Sequence, residues 1–393
     1  MIMNDVYIVD AKRTAIATFL GTLKGQSAVD IAVPVAESIL KSTGIPYDAV
    51  DEVIVGNVFK AGLKGNPARQ IGVRSGLSVE TPAMTIDKQC ASGLRALTLG
   101  ATQIAVGEAG LVLAGGTESM TRVPRLLFGS RDGQKMGDTK LVDALTYDGL
   151  HCAMENYHMG VTAENLVDQY RISREEQDEF ALNSQNKALA AIQAGKFEKE
   201  IVPLAVQQRK ETRTFHVDEG PRDTTLEKLS SLSPVFKQGG SVTAGNASGL
   251  NDGAALTLLA SKEAVERYGL TPLAKITSYA SAAVDPAIMG IGPVPATKRA
   301  LEKTKLSLED IDLFELNEAF AAQVIAVNRE LKIPDEKINV NGGAVALGHP
   351  VGCSGARIVV SLLHELHRQK KSHGLASLCV GGGQGVTIVV EAV

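Results

Sequence analysis

The chain has 393 residues, enough for two or three domains at roughly 150 residues each. It carries 40 Lys+Arg against 44 Asp+Glu, a net charge of -4, which gives no support to a nucleic-acid binder. Hydrophobic residues make up 44% and charged ones 21%, an ordinary globular composition, and no uncharged apolar run approaches the ~20 residues of a membrane span.

Met1-Ile2-Met3-Asn4-Asp5-Val6-Tyr7-Ile8-Val9 reads as an opening strand. It lacks a basic n-region followed by an apolar core and a cleavage site, so no secretory leader is expected. The cysteines Cys90, Cys152, Cys353 and Cys379 are too few for a disulfide scaffold in so long a chain, so a reduced, cytoplasmic protein is expected. Ala83-Met84-Thr85-Ile86-Asp87 is strand-like and leads into Lys88-Gln89-Cys90-Ala91-Ser92-Gly93-Leu94-Arg95. An apolar helix is predicted over 96–106, then a strand running into glycines at Leu111-Val112-Leu113-Ala114-Gly115-Gly116.

From about 121 to 242 the chain is more charged and less strand-like, which reads as an insertion. Within it, Ser173 followed by Glu175-Glu176 signals an N-cap and predicts a helix over 173–194. Asn183, Lys187 and Gln193 suit its wet face, and Phe180, Ala188 and Ile192 its dry one. Leu226, Leu229 and Leu232 give 223–233 a short amphipathic helical spacing. The sheet is expected to resume near Gly253-Ala254-Ala255-Leu256-Thr257-Leu258-Leu259.

The remainder repeats the beginning. Lys275-Ile276-Thr277-Ser278-Tyr279 compares with Tyr7-Ile8-Val9-Asp10-Ala11, and Ile338-Asn339-Val340-Asn341 with the strand before Cys90. Cys353-Ser354-Gly355-Ala356-Arg357 echoes Cys90-Ala91-Ser92-Gly93-Leu94-Arg95. An apolar helix is predicted after it over 358–366, and a strand ending in glycines over 376–382. Two copies of a strand–helix–strand unit imply two similar α/β halves with largely buried sheets.

Three islands place a reactive side chain among small residues: the segment around Cys90, Gly348-His349-Pro350, and Leu378-Cys379-Val380-Gly381-Gly382-Gly383. A cysteine with a histidine distant in sequence is the minimal kit for thiolate catalysis. Position alone leaves Cys90 open between a nucleophile whose thiolate is helped by a helix N-terminus and a small buried hydrophobe. His349 is equally a turn histidine, Cys379 a core residue of a buried strand, and Asn317 a helix N-cap after Ile311-Asp312-Leu313-Phe314. His364-Glu365-Leu366-His367 lacks the gap of a zinc motif, and no Gly-x-Gly-x-x-Gly opens a helix after a strand.

Cys-Ala-Ser-Gly-Leu-Arg, Gly-Gly-Thr-Glu-Ser-Met, Tyr-His-Met-Gly-Val-Thr-Ala-Glu-Asn, Thr-Ala-Gly-Asn-Ala-Ser-Gly-Leu-Asn-Asp-Gly-Ala-Ala, Asn-Glu-Ala-Phe-Ala, Gly-Gly-Ala-Val-Ala-Leu-Gly-His-Pro and Cys-Val-Gly-Gly-Gly-Gln-Gly occur in that order. Together they resemble the thiolase family over essentially the whole chain, its biosynthetic type most closely. The resemblance implies a duplicated α/β fold in five layers, α/β/α/β/α, with an inserted loop domain. It implies a first half at 1–120 plus 243–270, an insertion at 121–242 that binds coenzyme A (CoA) and makes tetramer contacts, and a second half at 271–393. The implied activity is acetyl-CoA C-acetyltransfer: two acetyl-CoA condense reversibly to acetoacetyl-CoA and CoA through S-acetyl-Cys90. A broad-chain 3-ketoacyl-CoA thiolase and a non-catalytic acyl-CoA-binding protein are the alternatives.

By the same resemblance Cys90 is the nucleophile, His349 its base and Cys379 the second acid/base. Asn317 holds a water that forms one oxyanion hole with His349, and backbone N–H groups of Cys90 and Gly381 form the other. Cys353, the repeat's counterpart of Cys90, is expected to be structural. Leu150, His158, Ala244 and Ser248, with the small residues Gly245 and Ala247, are expected along the pantetheine. Met159, Met289 and Phe320 crowd the acyl end, and Arg222 is a candidate for the nucleotide. No metal or redox cofactor is implied beyond the substrate CoA. Neither nucleic acid nor membrane is expected as a partner. A homotetramer (a dimer of dimers) is expected, joined through the loop over 126–148 with Gln134-Lys135-Met136-Gly137-Asp138 at its centre.

Overall fold

A computed structural model describes residues 4–133, 135–208 and 211–393, so Met1, Ile2 and Met3 of the expected opening strand and Gln134 of the 126–148 loop lie outside the described residues. The first half runs β1 (Val6–Arg13), α1 (Ala28–Thr43), β2 (Glu52–Gly56), α2 (Pro67–Arg74), β3 (Ala83–Ile86), α3 (Ser92–Val106) and β4 (Leu111–Ser119). The insertion follows, with α4 (Met159–Tyr170) and α5 (Arg174–Gln193) as its long helices, and β5 (Asn251–Ser261) closes the half. The second half runs β6 (Ala274–Ala283), α6 (Pro293–Leu301), β7 (Leu313–Leu316), α7 (Ala321–Leu331), α8 (Val351–Gln369), β8 (His373–Val380) and β9 (Gln384–Ala392).

The strands lie in the order β3-β2-β4-β5-β1 and then β6-β9-β8-β7. Among the described residues the halves meet edge to edge through two strand pairs, Tyr7 with Lys275 and Ile8 with Ala274. Each half pairs its short strand in parallel with the next, β2 with β4 and β7 with β8, and places an antiparallel hairpin-like pair beyond. One expected strand is missing. At 338–341 only Ile338 bridges Phe314, at the place β3 holds in the first half, because Asn339 takes φ 44° and leaves the extended region.

Five layers result. Ile31, Val35 and Ile39 of α1 cover one sheet face with Val53, Leu113 and Leu256. Val324 and Val327 of α7 cover the far face with Phe314, Leu375 and Val389. Between the sheets lie α3 and α8, where Leu97, Ala101, Val359 and Leu363 pack against Val112, Leu259, Leu378 and Val390. The two helices cross at glycine. A Cβ on Gly93 would sit 2.8 Å from Gly352 O, and one on Gly355 would sit 2.6 Å from Leu94 N. Close approach of the two helix starts therefore requires glycine on both.

β4 and β5 are sheet neighbours in continuous register from Ser119–Asp252 to Leu111–Ala260, so the insertion leaves and returns at one end of the sheet. It is pinned to β1 by Arg13, whose fully buried guanidinium meets Glu200 at 2.6 Å and Asp218 at 2.8 Å. α5 spans the predicted length, with Ser173 and Glu176 in a reciprocal capping box. Its dry face differs from expectation. Gln177, Asp178, Ala181, Ser184, Gln185 and Ala188 are buried, while Phe180 and Ile192 are only half-buried. These polar residues are paired across the interface, for example Asp178 with Asn246 and Ser184 with Glu318, and so they tolerate burial. The 223–233 segment is helical only over Leu226–Ser230. Among the described residues no helix is long and apolar enough to cross a membrane.

Candidate active site

β3 ends at Ile86, and a tight turn follows. Gln89 takes φ 47°, and the Ser92 hydroxyl accepts the Lys88 N–H at 2.8 Å while donating to Gln89 O at 2.7 Å. This folds Cys90 out ahead of α3, which starts at Ser92, a turn earlier than predicted. Cys90 is half-buried, and the backbone N–H groups of Gly381 and of Cys90 itself face its sulfur. Of the two readings left open for Cys90, helix-end stabilisation of a thiolate is outweighed in this state. Burial dominates over those N–H groups, Asp87 and Glu118 add to it, and the thiol is pushed up to about 11. The resting group is a thiol.

Cys379 lies near the end of β8, fully buried opposite Gly385. Burial raises its pKa, and the neighbouring Cys90 raises it further. The three-glycine turn beyond it holds Gly382 and Gly383 at φ 84°, conformations that favour glycine, and brings Gly381 back over Cys90. Cys379 packs in one cluster with Met159, Met289, Phe320 and Ala247. Four residues expected around the acyl end or the pantetheine thus meet the second thiol.

His349 follows Gly348, whose φ is 108°. Its N–H donates to Asn251 Oδ1 at 2.9 Å, and its Nδ1 lies 2.5 Å from Ser354 Oγ. The Ser354 hydroxyl also donates to Pro350 O at 2.9 Å. A hydroxyl has one proton to give, so Ser354 accepts from Nδ1–H and leaves Nε2 as the bare nitrogen. That Nε2 is buried and has no hydrogen-bond partner among the described residues. Burial, with a smaller contribution from Arg357, lowers the imidazole to about 4, so the ring is a neutral base at physiological pH. Arg357 is itself held by buried Glu315 at 3.2 Å.

Asn317 stands just after β7, fully buried, its N–H on Ser377 O at 3.0 Å. The N-cap reading fails, because α7 begins at Ala321 and its cap position is Phe320. Both amide atoms of the Asn317 side chain lack a partner among the described residues, an expensive arrangement unless a water or ligand supplies one.

A cavity of about 460 Å³ lies between the insertion and the turn before His349, and its lining includes neither Cys90, Cys379 nor Asn317. Ala244, Gly245 and Ala247 line it, Gly348 reaches it beside His349, and Arg222 and Lys228 stand exposed around it. Leu229 and Leu232 border Gly245 at this cavity, and Leu229 also packs in a small cluster with Ala181 and Val345. Ser248 is tied by its N–H to Ala319 O at 3.0 Å. Leu150 borders the same apolar cluster as Cys90. His158 caps α4 by accepting the Gly160 N–H, and its ring stacks on Phe236 at 4.6 Å. Phe236, Asn251 and Ser354 were not singled out as site residues in the sequence. Gly160 was the available signal for Phe236, since a Cβ there would strike its ring at 2.2 Å. A separate cavity of about 430 Å³ lies between α5 and α7. His364 and His367 meet the backbone carbonyls of Ala11 and Leu273.

The family model for the thiolase N-terminal domain matches residues 6–263, and that for the thiolase C-terminal domain matches 270–392. The chain belongs to the thiolase family. It is 54% identical to an acetyl-CoA acetyltransferase of Pseudomonas aeruginosa over 99% of both chains. The crystal structure of the Bacillus anthracis acetyl-CoA acetyltransferase superposes with a TM-score of 0.97 at 48% identity, covering 100% of this chain and 99% of that one. Human mitochondrial 3-ketoacyl-CoA thiolase in complex with CoA gives 0.96 at 46% identity, covering 100% and 99%. The five-layered duplicated fold is that of this family, and the chain is an acyltransferase of the thiolase type.

Proposed function

We propose that this thiolase is an acetyl-CoA C-acetyltransferase. The observation that carries the reading is the meeting of two thiols from different halves, half-buried Cys90 beneath the Gly381 N–H and fully buried Cys379. Acetyl-CoA lies with its pantetheine along Ala244, Gly245, Ala247, Ser248, Leu150 and His158. Its nucleotide lies toward Arg222, and its acyl end sits against Met159, Met289 and Phe320. As the Cys90 sulfur attacks the thioester carbonyl, its proton passes to His349 Nε2. The Cys90 and Gly381 N–H groups receive the developing oxyanion. The C–S bond to CoA breaks, the CoA thiolate takes the Cys379 proton, and CoA leaves as a thiol.

Capped as a neutral thioester, the Cys90 sulfur can no longer ionise and so does not oppose the Cys379 thiolate beside it. Cys379 then takes a methyl proton from a second acetyl-CoA. The enolate oxygen is held by the His349 imidazolium and by a water on Asn317. Its carbon attacks acetyl-Cys90, the C–C bond forms, and the expelled Cys90 thiolate recovers its proton from His349. Both thiols and the imidazole end as they began. No metal or redox cofactor is assigned a step.

We propose the division 1–120 with 243–270, 121–242 and 271–393, a homotetramer and a cytoplasmic setting with the same reading. The tetramer is supported by exposed Leu127, Phe128, Met136 and Leu141 in the 126–148 loop. Cleavage of acetoacetyl-CoA by added CoA, followed as loss of the ketothioester absorbance, tests the function. Absence of cleavage while longer 3-ketoacyl-CoA is cleaved would favour the broad-chain alternative.

A further inference from the structure

The oxyanion hole proposed above is unusual in one respect: its two donors come from opposite halves of the duplicated fold. The Cys90 N–H belongs to the turn before α3, and the Gly381 N–H to the glycine turn between β8 and β9. No covalent path of useful length sets their spacing. The Gly381-Gly382-Gly383 run carries no side chains that could anchor it, and Gly382 and Gly383 both sit at φ 84°. Backbone contact supplies a tether, the Val284 N–H donating to Gly383 O at 2.7 Å.

Among the described residues a single side-chain hydrogen bond joins the two turns. Lys88 Nζ donates to Gln384 Oε1 at 2.8 Å. Lys88 stands two residues before the first donor, and Gln384 three residues after the second. Both ends are rigid. The Lys88 N–H is held by Ser92 Oγ at 2.8 Å, in the turn that presents Cys90. The Gln384 backbone sits in the sheet between Val380 of β8 and Ala283 of β6. Both residues are half-buried, and Lys88 makes no ion pair among the described residues. Asp87, next to it, turns instead to Lys60 at 3.5 Å.

We propose that Lys88 and Gln384 form a latch between the halves that sets the spacing of the Cys90 and Gly381 N–H groups. They are positioning residues and touch no substrate. The proposal rests on the oxyanion-hole reading above. Lys88→Met and Gln384→Met each remove the bond while keeping an unbranched chain of similar reach. Acetylation of Cys90 by acetyl-CoA uses the hole, whereas alkylation of the same sulfur by iodoacetamide does not.

Each variant is therefore expected to acetylate about tenfold more slowly, as a sub-ångström misplacement would cause, with alkylation within about twofold of the parent chain. The double variant is expected to be no slower than either single one, because both remove the same bond. Lys88→Arg, which can still reach Gln384, is expected to recover most of the rate. Thermal unfolding of every variant separates misfolding from misplacement. Single variants that acetylate at the parent rate, losses that multiply in the double variant, or alkylation that falls in parallel with acetylation would each overturn the latch alone. A parent chain that acquires no acetyl group would overturn the functional reading and this proposal with it.

Discussion

Helices α3 and α8 open on nearly the same residues, Cys90-Ala91-Ser92-Gly93-Leu94-Arg95 and Cys353-Ser354-Gly355-Ala356-Arg357, and they treat their cysteines in opposite ways. α3 begins at the serine itself, so Cys90 is left in the turn outside it, under the Gly381 N–H. α8 begins at Val351, three residues before its serine, so Cys353 is inside the first turn, 1% exposed and packed in the layer between the sheets. The serines diverge as well. Ser92 folds the nucleophile turn, and Ser354 holds the ring of His349. Duplication supplied one motif twice, and a helix start shifted by about a turn decided which copy faces a substrate.

The comparison breaks most sharply at the cysteines. Cys90→Ser should abolish acetoacetyl-CoA cleavage, because a hydroxyl is far less ionised than even a thiol raised to about 11. Cys379→Ala should still allow Cys90 to be acetylated, because a CoA thiolate can leave without its proton, and should slow carbon–carbon bond formation by about 10²–10⁴, the usual worth of a positioned acid/base. Separate assays of the two half-reactions would show it, and equal losses in both would make Cys379 structural.

Smaller effects sharpen the contrast. Ser354→Ala frees the His349 ring and should slow acetylation by about tenfold, roughly the 1.4 kcal/mol of one lost hydrogen bond. Cys353→Ala should leave the rate near that of the parent and lower stability by about 1 kcal/mol through the small cavity it opens, read by chemical denaturation.

The pH dependence has a definite sign. His349 has a folded pKa of about 4, below its ordinary value of 6.5, so the unfolded chain binds more protons between the two. This histidine's contribution to stability is thus full above pH 6.5 and lost as pH falls toward 4. His349→Asn should flatten the acid side of the stability curve. Alkylation of Cys90 by iodoacetamide should keep rising with pH beyond 9, and a plateau near neutrality would mean the resting thiolate after all.

Much of the architecture was legible because it rests on local pattern. Buried strands read as apolar runs, and the capping box at Ser173 and Glu176 marked α5 to within a residue. The strand expected at 338–341 failed for a reason no pattern shows, the left-handed turn at Asn339. The dry face of α5 was misread because its buried Gln, Asp and Ser are paired by residues distant in sequence. At the site, motif order pointed to Cys90, His349, Asn317 and Cys379, and the structure places the two cysteines together and leaves the His349 and Asn317 side chains with unpaired polar atoms. Illegible were the protonation states. Helix-end logic favoured a Cys90 thiolate, whereas burial outweighs it, and burial depends on the whole fold.

The most direct test is where acetyl-CoA leaves its acyl group. After brief incubation and acid quench, peptide mass spectrometry should find one acetyl group on Cys90 and none on Cys353, Cys379 or Cys152. An acetyl group on Cys353, or on Cys379 with Cys90 unmodified, would contradict the account.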